Sequence, residues 1–305
     1  MKGLRYFIVG LLAIFLGGYA VAGADVNVKH ASGETRVAIK PQKVVIFDLA
    51  VLDNADRLGV DTVVGVPEIN KPDYLQKYDA KPYVKVGSLF EPNYETLANL
   101  KPDLIIVAAR SQKKYAELSK IAPTIDLTID YNHYLADIER NIKILGQIFD
   151  KEQQADTEIK ALKARLSQVQ QSTNGKGNAL VIMTTGGKIT AFGSASRYEL
   201  LYSDFGIKPA VGSLKANSHG QLISPEFLLE TNPEWLLVID RDAAIGLEGQ
   251  AAAQILDNAM VKNTIAGEKN QIIYLDPQIW YLATGGLTGL EKSMDQIEAA
   301  FKARQ

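Results

Sequence analysis

Three arginines, one histidine and one tyrosine are the residues of this sequence best suited to bind an anion or a hard metal ion. Arg110 and Arg241 each come just after a short apolar run, and Arg197 follows the turn at residues 192–196. A guanidinium keeps its charge and offers a planar set of N–H donors. Three of them on one surface would hold a polyanion, whereas any single arginine is equally well explained by solvation on the surface.

Histidine is scarce in this chain, which contains 3. His219 lies in a glycine-containing segment before a predicted helix start at residue 224, where an imidazole can face a ligand or simply be solvated. Tyr281 lies in an aromatic loop after the apolar run 272–275, and Tyr274 is a second tyrosine nearby. A phenolate suits a hard ion such as Fe(III), and an imidazole can bind beside it. Core packing is the alternative role for Tyr281.

Short apolar runs are the elements that would position these residues. Nearly continuous runs are typical of strands buried on both faces of a parallel sheet, and helical patterns lie between them. The runs are 44–47, 104–107, 179–183, 235–239 and 272–275. The alternation predicts an α/β fold of two Rossmann-like lobes with central parallel-type sheets. Ligands bind at the carboxyl ends of such strands, so Arg110 and Arg241 should face a cleft between the lobes.

A polar segment without glycine or proline, residues 152–171, separates the two α/β blocks and ends in a glycine-rich stretch. It predicts one long helix, which either connects the lobes or lies on the surface of one domain. We favour the connection. The predicted organisation is a signal peptide at 1–24, an N-terminal lobe at 25–150, the connecting helix at 151–174 and a C-terminal lobe at 175–305.

A weak internal repeat supports two related lobes. Residues 97–107 match residues 228–238 when Pro102 is aligned with Pro233, and each copy reads as a helix, a Pro-acid turn and a buried strand. The same alignment pairs Glu95 with Glu226, and it also pairs the two strand-end arginines 110 and 241.

The beginning of the sequence predicts export. Lys2 and Arg5 precede the apolar run 6–16, which is followed by small residues and is shorter than a membrane span. The chain has no cysteine, which excludes disulfides, thiolate metal sites and a lipidated cysteine. These features predict a free periplasmic protein rather than a lipid-anchored one, with an anchor-free secreted protein in another compartment as the alternative. Without residues 1–24, 31 Lys+Arg remain against 35 Asp+Glu, a net charge of −4 that argues against nucleic acid as a partner.

Motifs of common enzyme classes are missing. The sequence contains no Gly-x-Ser-x-Gly elbow, no phosphate-binding glycine loop and no His-Glu-x-x-His pair. We therefore predict a binding protein rather than an enzyme.

From about residue 41 onward, the sequence resembles the periplasmic substrate-binding proteins with a rigid interlobe helix that serve iron-siderophore and vitamin B12 ABC importers. Particular segments are similar to the CeuE-like enterochelin-uptake branch of these proteins. They are residues 218–220, 238–241, 255–259, 274–277 and 280–283.

The resemblance implies a role for each candidate residue. His219 and Tyr281 would complete the iron coordination of a tetradentate, enterobactin-derived catecholate siderophore, since four donors leave two positions open on a six-coordinate ion. Three arginines would neutralise the anionic complex, namely Arg110, Arg197 and Arg241. Glu95 and Glu226 would dock onto the permease subunits of the importer. The protein would act as a monomer with the ferric siderophore as cargo and no permanent cofactor; haem and vitamin B12 are the alternative cargoes.

Overall fold

The structure, a computed structural model, describes residues 25–212, 214 and 220–303. The predicted signal peptide and His219 lie outside this range. Within it, no helix is both long enough and apolar enough to cross a bilayer.

The strands form a short hairpin and two larger sheets. They are β1 Asp25–His30, β2 Gly33–Ala38, β3 Val44–Ile46, β4 Val63–Val66, β5 Val84–Lys85, β6 Leu104–Val107, β7 Thr124–Asp126, β8 Asn178–Thr185, β9 Lys188–Phe192, β10 Lys208–Pro209, β11 Gln221–Ile223, β12 Trp235–Asp240 and β13 Ile272–Tyr274.

Helices separate most of these strands. They are α1 Leu49–Arg57, α2 Tyr94–Leu100, α3 Tyr115–Leu118, α4 Tyr134–Phe149, α5 Glu152–Thr173, α6 Glu199–Ser203, α7 Pro225–Thr231, α8 Arg241–Ala244, α9 Ala252–Ile255, α10 Ala259–Lys262, α11 Ile265–Glu268, α12 Pro277–Leu282 and α13 Leu287–Lys302. Short 3₁₀ helices cover Asp73–Asp79, Ala109–Lys114 and Tyr131–His133.

The first lobe is built around a parallel sheet in the order β5-β4-β3-β6-β7. Its central strands β3 and β6 are buried at every residue, as their apolar runs predict. The chain leaves β3 toward one side of the sheet and later returns to the other side through β6. The gap between the carboxyl ends of β3 and β6 is therefore a topological switch point, the position at which α/β sheets bind ligands.

The second lobe contains a mixed sheet in the order β11-β9-β8-β12-β13, with β10 also paired to β8. Strands β8, β10, β12 and β13 are parallel, whereas β9 and β11 are antiparallel to their neighbours. The prediction of a parallel-type sheet is thus right for the centre and incomplete at one edge. Gly186 and Gly187 adopt positive φ angles of 53° and 76°, which allow a tight turn that returns the chain as a hairpin.

The sequence repeat corresponds to a structural repeat. Helices α2 and α7 have 7 residues each and lead into β6 and β12. The acidic residue of each Pro-acid turn fixes the start of the neighbouring strand, because Asp103 accepts a hydrogen bond from the Lys43 N–H at 2.9 Å and Glu234 accepts one from the Asn178 N–H at 3.3 Å. Equivalent positions in the two lobes therefore have equivalent structural roles.

The long helix predicted at 152–171 is confirmed as α5, which extends to Thr173. One stripe of its surface is buried and packs against α4 and α13. That stripe comprises Ala155, Ile159, Leu162, Leu166 and Val169. The spacing of three and four residues is that of an amphipathic helix packed along one face.

The C-terminal helix α13 gives the lobes a second connection. The sequence assigns it to the second lobe, yet it also packs against α1 of the first. Asp53 on α1 accepts a hydrogen bond from the Gly289 N–H at 2.8 Å, and Asn54 accepts one from the Leu287 N–H at 2.9 Å. These side chains cap α13, since Gly286 at its N-cap has no side chain to do so. Burial raises the pKa of Asp53 to about 6.

Candidate functional site

A cleft lies between the two lobes, with about 580 Å³ of empty space when its opening to solvent is included. Its first-lobe wall includes residues that follow the carboxyl ends of β3, β6 and β7, and its second-lobe wall includes residues that follow β13. Asp48, Arg110 and Tyr131 line the first wall, and Arg197 and Tyr281 line the second. The position of the cleft agrees with the sequence-based expectation of a ligand site at the strand ends.

The three predicted arginines converge on Tyr281. Arg110 and Arg197 each donate an Nη2–H to the Tyr281 carbonyl oxygen, at 2.7 and 2.8 Å, and Arg241 donates its Nε–H to the phenol oxygen at 2.9 Å. The guanidinium carbons lie 4.9, 4.9 and 5.5 Å from the centre of the tyrosine ring. These distances allow cation–π attraction in addition to the hydrogen bonds.

Local backbone geometry positions the arginines around Tyr281, with Arg110 and Arg197 among the residues that line the cleft and Arg241 behind the phenol oxygen. Arg241 opens α8, whose N-cap Asp240 accepts a hydrogen bond from the Ala243 N–H. Ala109, directly before Arg110, has a φ of 45°, and Ala195, two residues before Arg197, has a φ of 59°. Residues other than glycine rarely adopt this left-handed region, and such strain is concentrated at functional sites.

The electrostatic environment favours the ionised form of Tyr281. Burial by itself would raise the pKa of the phenol, but the hydrogen bond from Arg241 and the charges of Arg110, Arg241 and Arg197 outweigh it, so the pKa lies below its usual value. A phenol that ionises more easily gives up its proton more readily to a hard cation, which binds the phenolate form.

Much of the positive charge is left for a ligand. Arg110 and Arg197 have no ion-pair partner in the described part of the chain, whereas Arg241 lies 3.6 Å from Asp242. The Nε–H of Arg197 is buried and has no hydrogen-bond partner among the described residues. A buried donor without a partner is unfavourable, so a bound anion that accepted from it would be stabilised.

A family model described as a periplasmic binding protein matches residues 44–279. These residues include α5 and every strand except β1 and β2. The chain belongs to the periplasmic binding protein family.

Several relatives in this family resemble the chain over nearly its whole length. The petrobactin-binding protein YclQ of Bacillus subtilis is 41% identical over 278 residues, which cover 90% of this chain and 87% of the relative. The ferric-anguibactin-binding protein FatB of Vibrio anguillarum is 32% identical over 282 residues, with the same coverage of 90% and 87%.

Solved structures agree with these sequence matches. The crystal structure of YclQ superimposes with a TM-score of 0.88 at 40% identity, covering 92% of this chain and 99% of that one. The periplasmic catecholate-siderophore binding protein VctP of Vibrio cholerae superimposes with a TM-score of 0.85 at 37% identity, covering 90% and 100%. Both bear out the two-lobe α/β fold of this periplasmic binding protein.

Tyr281 and Tyr274, the two tyrosines that the sequence offers as iron ligands, differ in their surroundings. Tyr281 contacts all three arginines, whereas Tyr274 is 45% exposed and has no described contact with any of them. Burial and the nearby Asp257 raise the pKa of Tyr274, opposite to the direction at Tyr281. The geometry therefore groups Tyr281, and not Tyr274, with the arginines, while His219 lies outside the described residues.

Aromatic residues near the cleft were missed by the sequence reasoning. Tyr131 lines the first-lobe wall, and its ring stacks on that of Tyr134 with a centroid distance of 6.2 Å and an interplanar angle of 26°. The guanidinium carbon of Arg197 lies 5.3 Å from the centre of the Tyr198 ring. The tyrosines at 131 and 134 follow the three-residue strand β7, which is too short to stand out as an apolar run.

Glu95 and Glu226 lie away from the cleft, exposed in the first turns of α2 and α7. Because these helices run antiparallel to the strands they precede, their first turns lie at the same sheet edges as Arg110 and Arg241. Glu95 forms no ion pair with any described residue, and a hydrogen bond from Ser224 lowers the pKa of Glu226. Both carboxylates are thus available to an external partner.

Exposed apolar side chains accompany the two glutamates. Six large apolar residues are exposed in the described part of the chain, and four of them lie within five positions of Glu95 or Glu226. They are Phe90 at 56%, Tyr94 at 37%, Leu222 at 64% and Leu229 at 39% exposure. Exposed apolar surface bordered by polar or charged residues is typical of a protein interaction site.

Proposed function

We propose that this periplasmic binding protein captures a ferric siderophore and delivers it to an ABC importer, and that its cargo is a tetradentate catecholate complex of the enterobactin-derived type. The convergence of three arginines on Tyr281 is the observation that carries the proposal. Ferric catecholates are anionic, and the cleft offers concentrated positive charge on a protein whose overall charge is negative.

Iron coordination is the second part of the proposal. A tetradentate ligand leaves two positions on six-coordinate iron, and we assign them to the Tyr281 phenolate and to His219. Arg241 can keep its hydrogen bond to the phenolate, because an ionised oxygen has further lone pairs for the metal. The remaining N–H groups of Arg110 and Arg197 can donate to the catecholate oxygens.

The relatives support a siderophore as the cargo. YclQ and FatB are named for binding petrobactin and ferric anguibactin, and VctP is described as binding catecholate siderophores. The arginine cluster favours a polyanionic iron complex over vitamin B12, since a corrinoid offers less negative charge for three guanidinium groups.

Delivery requires a surface that the membrane subunits of the importer recognise. We propose that Glu95 and Glu226, each with its apolar neighbours, form that surface at the open edge of the two lobes. A permease bound there would cover the mouth of the cleft, because the glutamates and the cleft arginines share the same sheet edges. We further propose that the protein acts in the periplasm as a monomer. Its N-terminal lobe would end near residue 150, and its C-terminal lobe would begin near residue 175.

Fluorescence titration tests the class of cargo. Trp280 is buried next to Tyr281, and its indole N–H donates to Gln296 at 3.1 Å. A ferric bis-catecholate also absorbs in the near ultraviolet, where tryptophan emits, so the complex bound in the cleft should quench this emission by energy transfer at micromolar concentration. Haem and cobalamin serve as competitors. Unchanged emission with the bis-catecholate, or displacement of it by an equimolar amount of either competitor, would reject the proposal.

A further inference from the structure

Asp48 places a carboxylate in a cleft otherwise dominated by arginine. It follows β3 directly, lines the cleft and is 7% exposed. Its charge opposes the binding of an anionic cargo, so its presence calls for a reason other than the arginine-based recognition described above.

Helix capping accounts for only one of the two carboxylate oxygens of Asp48. Asp48 is the N-cap of α1, and its Oδ1 accepts hydrogen bonds from the N–H groups of Ala50 and Val51 at 2.9 and 3.1 Å. Its Oδ2 has no hydrogen-bond partner among the described residues. Asparagine and serine cap helices about as well as aspartate does, so capping does not require the negative charge.

Burial makes that charge unfavourable. Burial raises the pKa of Asp48, and the nearby Arg110 compensates only in part, without an ion pair. Carboxylates of this kind are normally paired with a cation or a strong donor.

The neighbouring residues of the cleft wall do not supply a free oxygen that could replace Asp48 as a hydrogen-bond acceptor. Asn54 and Asn141 also line it, but the Asn54 oxygen accepts from the Leu287 N–H and the Asn141 oxygen accepts from Arg140. The Asp48 Oδ2 atom is therefore the free carboxylate oxygen on this part of the wall.

The position of Asp48 indicates which part of a cargo it would meet. It follows β3 and Arg110 follows β6, so the two residues flank the switch point of the first-lobe sheet. Tyr281 lies on the opposite, second-lobe wall. If iron is bound at Tyr281, the organic scaffold that joins the chelating groups would lie against the first-lobe wall.

We propose that Asp48 binds a protonated amine in the scaffold of the siderophore, which makes the cargo an amine-containing ferric catecholate. The proposal rests on the proposed function and narrows it. The arginines would bind the anionic iron centre, and Asp48 would bind the cationic nitrogen at the other wall. This arrangement selects against siderophores whose scaffold is uncharged, because those would leave the carboxylate unpaired.

Two matched synthetic ligands test the proposal. Both are bis-catecholamides with linkers of equal length, one with a secondary amine at its centre and the other with a methylene there. Charge-assisted hydrogen bonds contribute roughly 1.5–3 kcal/mol, so the wild type should bind the ferric amine ligand about 10- to 100-fold more tightly. Asp48→Asn and Asp48→Ser keep the cap, and both should reduce this preference to a few-fold or less.

The outcomes separate this proposal from the function on which it rests. Equal binding of both ligands by the wild type, or a full preference retained in Asp48→Ser, would overturn the assignment of Asp48 alone. Failure of both ferric ligands to bind would overturn the proposed function as well. Thermal unfolding of each variant, expected within a few degrees of the wild type, excludes loss of the helix cap as the cause.

Discussion

Replacing Arg197 with glutamine is expected to weaken the binding of a ferric bis-catecholate by about 100-fold. Arg197 has a buried Nε–H without a described partner, and its Nη2–H holds the Tyr281 carbonyl. The substitution removes a full positive charge and donors that would meet the anionic complex inside the cleft, where charge-assisted hydrogen bonds contribute up to about 3 kcal/mol. The dissociation constant, measured by fluorescence titration, provides the test.

A surface arginine supplies the matched control. Arg36 is 75% exposed and pairs with Asp25 on the N-terminal hairpin, so Arg36→Gln makes the same change of net charge away from the cleft. Its affinity for the complex should stay within about twofold of the wild type, because solvent and salt screen a distant charge. Equal affinities for Arg197→Gln and Arg36→Gln would contradict the role of the cleft arginines.

Reversing both proposed docking charges, Glu95→Lys together with Glu226→Lys, should reduce iron uptake through the importer by about tenfold or more while leaving cargo affinity nearly unchanged. Both side chains are exposed, and neither lines the cleft. We propose that the permease presents cationic side chains to these carboxylates, and opposing like charges across such an interface costs several kcal/mol. Uptake of labelled iron into cells and the dissociation constant of the purified variant are measured in parallel.

The control for this pair reverses two other exposed carboxylates, Asp156 on α5 and Glu268 on α11. Asp156→Lys with Glu268→Lys changes the net charge equally, and uptake should remain near the wild-type level. If this control loses uptake as severely, the effect is one of overall charge. If the Glu95 and Glu226 variant instead loses cargo binding, the two glutamates do not act as a docking surface.

The sequence predicted the central elements because their apolar runs are strong, local signals. The runs at 104–107 and 235–239 correspond to β6 and β12, and the rule that ligands bind at strand ends correctly brought Arg110 and Arg241 together. Their convergence on one tyrosine was beyond prediction, since it depends on how the two lobes are placed relative to each other.

Features that depend on long-range contacts were missed. The cap that Asp53 provides to Gly289 joins residues 236 positions apart, and no local pattern in the sequence indicates it. Asp48 could have been noticed, because it follows an apolar run just as Arg110 does. Aspartate before a helix is a common N-cap, so the sequence gives no indication that the second carboxylate oxygen of Asp48 has a separate role.

The visible absorption of a ferric bis-catecholate tests the central assignment most directly, because its charge-transfer band reports the donors bound to iron. We expect the band to move to shorter wavelength when the complex binds the wild type, since an added phenolate and imidazole raise the energy of the iron acceptor orbitals. Tyr281→Phe should bind the complex with a smaller shift, whereas Tyr274→Phe should retain the wild-type spectrum. Binding without any shift, or the same shift in Tyr281→Phe, would contradict the proposal that Tyr281 coordinates the iron of a ferric catecholate.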